Sequence, residues 1–230
     1  MIGRTAVEIK ADNMEKMGHP LGAQYSALWQ DVANIHLNWG EFVELYGAKP
    51  ERIELINRAA GAFFGVVQRS LWEGTLLHLA RLTDLSKSPG KDRFNLTIQN
   101  FPDLIADETT KQQVSKLVKV AIEKTEFCRD WRNRHIAHRD LKLALDEPAK
   151  PLAQADKAKV DAALKAIVEV MNAVDIYFTG SETGYGLWSP HNGAVGLLYV
   201  IDDGLRAEEL RMERLRKSRP LEDDFKARDL

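Results

Sequence analysis

Cysteine is almost absent from this 230-residue chain: Cys128 stands alone, so no disulfide can close within it. Long apolar runs are missing as well. The best of them, Gly193 to Ile201, falls far short of the roughly 20 residues needed to cross a bilayer, which argues against membrane insertion. No start-of-chain segment combines a basic flank, an apolar run and a small-residue cleavage site, so a cytoplasmic location is expected. An excess of positive charge is also lacking. The formal charge is −2 and the pI is near 6.3, so no protein-wide field draws nucleic acid, and any such contact must be local. Alternating apolar and polar residues never persist long enough for a sheet, and no fixed-period repeat points to a solenoid.

What is present is the composition of a globular chain, 44% hydrophobic and 29% charged, with enough length to bury a substantial core. Helical spacing dominates. After a polar lead over 1–20, the segment Leu21 to Tyr46 places Leu28, Val32, Ile35, Trp39, Phe42 and Leu45 on one stripe and closes on Gly47. Pro50 opens a second helix whose stripe reads Ile53, Ile56, Ala60, Phe63, Val67 and Leu71 and continues to about Asp84. An exposed loop over Ser86 to Gly90 follows, then a short helix within Phe94 to Ile105 interrupted at Pro102. Asp107 caps a third long helix, carrying Val114, Leu117, Val118, Ala121, Thr125 and Cys128, with nothing to stop it before Asp140. Pro148 and Pro151 mark a connection. Val160, Leu164, Ile167, Met171, Val174 and Phe178 then form a stripe that ends at Gly180. A glycine-rich loop precedes a last helix over about 194–217, and 218–230 reads as a polar tail. The expectation is an all-α, up-and-down helical bundle over 21–180, with the loop and extra C-terminal helix over 181–217 packed on it or extending from it. Trp29, Trp39 and Trp72 fall in apolar stripes and read as core; Trp188 sits in the loop.

Chemistry concentrates between Cys128 and Asp140, where four arginines and two histidines fall together. From Lys124 to Lys142 there are six basic and three acidic residues, a locally positive stretch in a slightly acidic chain. Arginine offers a planar, permanently charged fork for phosphate oxygens, and histidine moves protons near neutral pH, so the pair suits phosphodiester cleavage. Bland readings stand beside this one. A basic run late in a helix complements the helix dipole, and a histidine near a core face is commonly structural, as His135 would be. His135, His138 and Asp140 match no tight metal-ligand spacing, so neither a metal nor another cofactor is expected.

Arg132-Asn133 followed by His138 resembles the HEPN superfamily, whose nucleases carry an arginine, usually followed by Asn, Asp or His, and then a histidine about four to six residues on. Arg129-Asp130 with His135 meets the same spacing. The continuation Ala137-His138-Arg139-Asp140, and an earlier helix ending Leu79-Ala80-Arg81-Leu82-Thr83-Asp84, look like the abortive-infection branch of that superfamily. The resemblance covers the helical body from about Leu21 to Phe178. It implies a homodimer whose two motifs meet in a cleft, and metal-independent RNA cleavage by attack of the 2′-hydroxyl on the adjoining phosphate, in defence or in toxin-like growth arrest.

On that resemblance His138 is the general acid or base, Arg132 holds and neutralises the phosphate, and Asn133 orients phosphate or histidine by hydrogen bonds. Arg134, His135 and Arg129 are secondary, with Arg134 one turn before His138 and able to stand in for Arg132. Projected along a continuous helix, Arg132 points with the core stripe, while His138 falls about 120° away with Val120, Phe127 and Trp131. That second apolar strip is the expected dimer surface. Glu73 and Asp84 could support the arginines from the second helix. A partner antitoxin or regulatory protein is compatible with the toxin reading. The alternative is a non-catalytic HEPN module that binds RNA or nucleotide, or that dimerises within a larger assembly.

Overall fold

A computed structural model of the chain describes residues 4–88, 90, 92–187 and 192–226. Trp188 lies outside them. The architecture is all-α, and among the described residues the only extended pairing is an isolated bridge between Lys87 and Phe94. No described helix is long and apolar enough to cross a membrane. The helices are α1 Ala6–Met17, α2 His19–Phe42, α3 Pro50–Leu82, α4 Phe101–Leu104, α5 Glu108–Lys124, α6 Glu126–Trp131, α7 Leu141–Ala144, α8 Lys157–Thr179 and α9 Ala194–Arg216. They fall into two compact units, one comprising residues 1–40 and 70–188 and the other 41–69 and 189–230.

In the first unit α5 packs along α8. The α8 stripe is buried as its spacing predicts, at Val160, Leu164, Ile167, Met171 and Val174, and Gly180 ends the helix in the left-handed region (φ 69°) that glycine adopts without a Cβ penalty. Leu28, Val32, Ile35 and Trp39 of α2 are likewise buried. Trp29 is not core, since about a third of its surface stays exposed.

The polar lead forms a helix that hydrophobic spacing did not reveal. The signal that could have found it is Thr5-Ala6-Val7-Glu8, a capping box in which the Thr5 hydroxyl accepts from the Glu8 amide and the Glu8 carboxylate accepts from the Thr5 amide. Gly18 (φ 80°) then turns the chain back, so that α1 lies against the start of α2. Contact there is backbone on backbone: a Cβ placed on Gly22 would stand 2.3 Å from the carbonyl oxygen of Asn13. That approach brings the Asn13 amide to the Ser26 hydroxyl, at 3.0 Å in a buried position. Gly22→Ala is therefore expected to undock α1, costing about 2 kcal/mol as an overpacked contact. Urea unfolding and limited proteolysis should report a lower midpoint and early cleavage within 4–18; unchanged protection would show that the two helices can separate slightly at no cost.

The second unit corrects a stripe. Non-helical backbone at Ala60 (φ −161°, ψ 61°) interrupts α3, so the spacing read through Ala60 puts Phe63 on the wrong face. Phe63 is 62% exposed, whereas its neighbour Phe64 is buried and its carbonyl accepts from the Tyr46 hydroxyl. The first long helix also ends differently, with Val43–Gly47 winding as a π-turn after α2. Within the stretch read as a polar tail, Glu222–Phe225 forms a 3-10 turn. Asp224 there pairs with Arg214 of α9, whose guanidinium holds its carboxyl down to about 2.

Candidate functional site

The basic segment does not sit on one continuous helix. Thr125 leaves helical geometry (φ −101°, ψ 2°), ending α5, and α6 restarts at Glu126. The buried Thr125 hydroxyl donates back toward the Ala121 carbonyl at 2.9 Å, a bond of the kind that bends helices, and lies 2.8 Å from the Thr83 hydroxyl. After α6 the chain widens into a π-turn over Arg132–Ile136, with the Ala137 amide donating to the Arg132 carbonyl at 2.8 Å. Single π-turns of this kind frequently occur at functional positions. Pro102, expected to interrupt the preceding short helix, instead sits in its first turn, where its missing N–H costs nothing.

The break changes the predicted projection. Phe127, placed on an outward apolar strip, is buried, and Trp131 donates its indole N–H to the Ala153 carbonyl at 2.8 Å. Of the expected strip, Val120 and His138 remain exposed. Cys128 faces the interior with no exposed surface, and its burial pushes the thiol pKa up to about 12.

The arginines of the segment divide by what they hold. Arg129 donates to the carbonyl and hydroxyl of Thr83 just past the end of α3, and pairs with Glu126 at 3.1 Å. Arg134 reaches Asp130 at 3.2 Å and Asp140 at 3.4 Å, and donates to the carbonyls of Lys150 and Pro151. It staples the 150–151 connection to the π-turn, so its fork is occupied where the sequence offered it as a stand-in for Arg132. Arg132 itself donates from Nη1 to both carboxylate oxygens of Asp84 at 2.6 Å, and from Nε to the Asn133 side-chain oxygen at 3.0 Å. Its Nη2 makes no hydrogen bond among the described residues. Asp84 is thus the acid that positions the arginine, the supporting role considered for it from the sequence.

His135 is drawn to protein groups: its Nε2 lies 3.5 Å from Glu73, and its ring meets Trp131 edge-on at 5.3 Å. His138 and Arg139 contrast with all of these. Both are exposed, and among the described residues neither has a hydrogen-bond or ion-pair partner. They follow directly on the Arg132–Ala137 backbone contact. Arg139 was passed over in the sequence, although its place beside His138 was the available signal. Of the segment's basic groups, the two N–H groups of Arg132 Nη2, the Arg139 guanidinium and the His138 imidazole are the ones left to meet a phosphate. Among the described residues no group of three or more His, Cys, Asp or Glu is arranged to hold a metal ion.

Since Arg132 and Asp84 each keep about a quarter of their side-chain surface exposed, Asp84→Asn is expected to lower stability by only about 1 kcal/mol. A chemical denaturation curve is the check, and a loss several times larger would mean that the pair clamps α3 to the π-turn rather than merely aiming the arginine.

Comparison with known proteins finds a protein-family model, HEPN_AbiU2, described as AbiU2, matching residues 19–196. No curated protein and no solved structure matches.

Proposed function

From the premise that the chain belongs to the HEPN_AbiU2 family, a HEPN-type domain associated with abortive infection, we propose that it is a metal-independent endoribonuclease. His138 is its proton-transfer group, Arg132 its phosphate-binding group, and Asn133 orients Arg132. The observation that carries this reading is the division within the segment. Arg129, Arg134 and His135 are spent on internal contacts, while His138, Arg139 and one nitrogen of Arg132 are left to solvent at a π-turn. Unpaired basic groups at a backbone irregularity are what an anionic substrate requires.

The chemistry needs a base, an acid and a cation beside the phosphate. A base takes the proton of the ribose 2′-hydroxyl, the resulting oxygen attacks the adjoining phosphorus, and the 5′-oxygen of the next nucleotide leaves with a proton from an acid. Negative charge accumulates on the non-bridging oxygens, where a guanidinium stabilises it. One imidazole cannot serve as base and acid at the same instant. A second copy of the chain would bring a second His138, and the homodimer belongs to the proposal for that reason.

The test is incubation of the full chain with a labelled structured RNA in excess chelator, beside Arg132→Ala and His138→Ala. Products ending in 2′,3′-cyclic phosphate from the parent and from neither variant support the reading. The bidentate grip of Asp84 on Arg132 favours one rival, a HEPN module that binds RNA or assembles with partners without cutting, and binding without products across several RNAs would select it.

A further inference from the structure

Away from the basic segment the first unit holds a half-open cavity of about 320 Å³ between α1, α2 and α8. That volume lies at the small end of the range for small-molecule sites. Its wall on one side is α1, which precedes the residues matched by the family model. Two polar groups in it are unusual. Tyr25 is 2% exposed, yet its hydroxyl has no hydrogen-bond partner among the described residues. Burial, with Tyr185 and Asp175 beside it, pushes the phenol pKa well up, so it remains a neutral O–H. Asp175 is 9% exposed and accepts from the hydroxyls of Thr179 at 2.8 Å and Thr183 at 3.4 Å, and among the described residues no lysine or arginine pairs with it. A buried polar hydroxyl and a buried carboxylate left in this state each cost free energy that a suitable ligand would recover.

The lining specifies the ligand's chemistry. Asp175 is the one acidic side chain of the lining, and no cationic side chain lines the cavity, so phosphates and carboxylates are disfavoured. Near the more exposed side stand Trp29 and Ile9. The indole N–H of Trp29 donates to the Thr183 hydroxyl at 3.3 Å, and that hydroxyl donates in turn to Asp175, so ring and carboxylate are held in one network. We propose that this cavity binds a small organic amine, its ammonium set between Asp175 and the Tyr25 oxygen and its apolar body lying against Trp29. An ammonium supplies three N–H donors to the two acceptors left under-used, and an aromatic face beside it adds cation–π attraction.

Phenethylamine and its uncharged counterpart phenethyl alcohol form the matched probes, titrated calorimetrically into the full chain in phosphate buffer, because Tris is itself an amine. The amine is expected to bind at least about tenfold more tightly than the alcohol, and Asp175→Asn to erase that preference. Should Asp175→Asn fail to fold by circular dichroism, Ile9→Trp decides: it crowds the cavity from a partly exposed position and should abolish amine binding with the fold intact. Equal binding of the two probes, no binding of the amine by the parent, or undiminished binding by Ile9→Trp would each overturn the assignment. RNA cleavage has no part in this readout, so its success or failure leaves the proposal standing or falling alone.

Discussion

His138→Ala is expected to lower the rate of RNA cleavage by at least about a hundredfold, the usual contribution of a positioned proton-transfer group, while leaving stability within about 0.5 kcal/mol. The second half of that expectation is what gives the first its force. His138 is exposed and has no hydrogen-bond or ion-pair partner among the described residues, so its truncation opens no buried cavity and strands no buried partner. A loss of activity cannot then be attributed to a loosened fold. His135→Ala provides the contrast: it removes a ring packed edge-on against Trp131 and facing Glu73, and should disturb folding more and chemistry less. The measurement is single-turnover cleavage, with denaturation curves for each variant. A His138→Ala protein that cuts as fast as the parent would remove the histidine from the mechanism, and the nuclease reading with it.

Arg129→Ala is expected to produce the largest stability change in the segment, about 3 kcal/mol, through lost hydrogen bonds to a charged group. Its guanidinium lies where α3 ends and the chain must satisfy the last carbonyls of that helix. Thr97 donates to the Leu82 carbonyl at 2.9 Å, Gln99 to the Thr83 carbonyl at 2.8 Å, and Arg129 adds the positive charge that a helix C-terminus favours. Its side chain is only 17% exposed, so solvent screens these contacts poorly. Arg129→Lys should recover little, because a single ammonium cannot span the Thr83 carbonyl and hydroxyl together with Glu126. Urea denaturation gives the number, and a change below about 1 kcal/mol would mean that Arg129 is held no more firmly than a surface ion pair.

These two residues show where sequence spacing informs and where it stops. Periodicity read α8 from Val160 to Gly180 correctly because one regular helix buries one stripe and a glycine ends it. It slipped a residue at Phe63 because the Ala60 backbone departs from the helix, and no apolar pattern encodes that departure. The same blindness joined α5 to α6. Thr125 matched the core stripe, and it is buried there, yet its backbone leaves helical geometry and cancels any angular projection from Val114 to His138. Composition alone located the basic segment, but could not say which arginines were occupied. That depended on Asp84 and Thr83, both about 46 to 48 positions earlier in the chain, and on the 150–151 carbonyls. The cavity beneath α1 was invisible for a related reason: Asn13, Tyr25 and Asp175 carry no common spacing, and α1 reaches α2 through the turn at Gly18 and the close approach at Gly22.

The buried sulfur of Cys128 gives the chain a timekeeper. Its pKa near 12 leaves almost no thiolate at neutral pH, and the absence of exposed surface bars any reagent. A maleimide can therefore react only during excursions in which α6 comes away from its neighbours. With no second thiol anywhere in the sequence, the labelling rate counts those excursions one helix turn before Arg132. The frequency with which the basic segment loses its support is thus readable from the chain's own single thiol, with no residue introduced for the purpose.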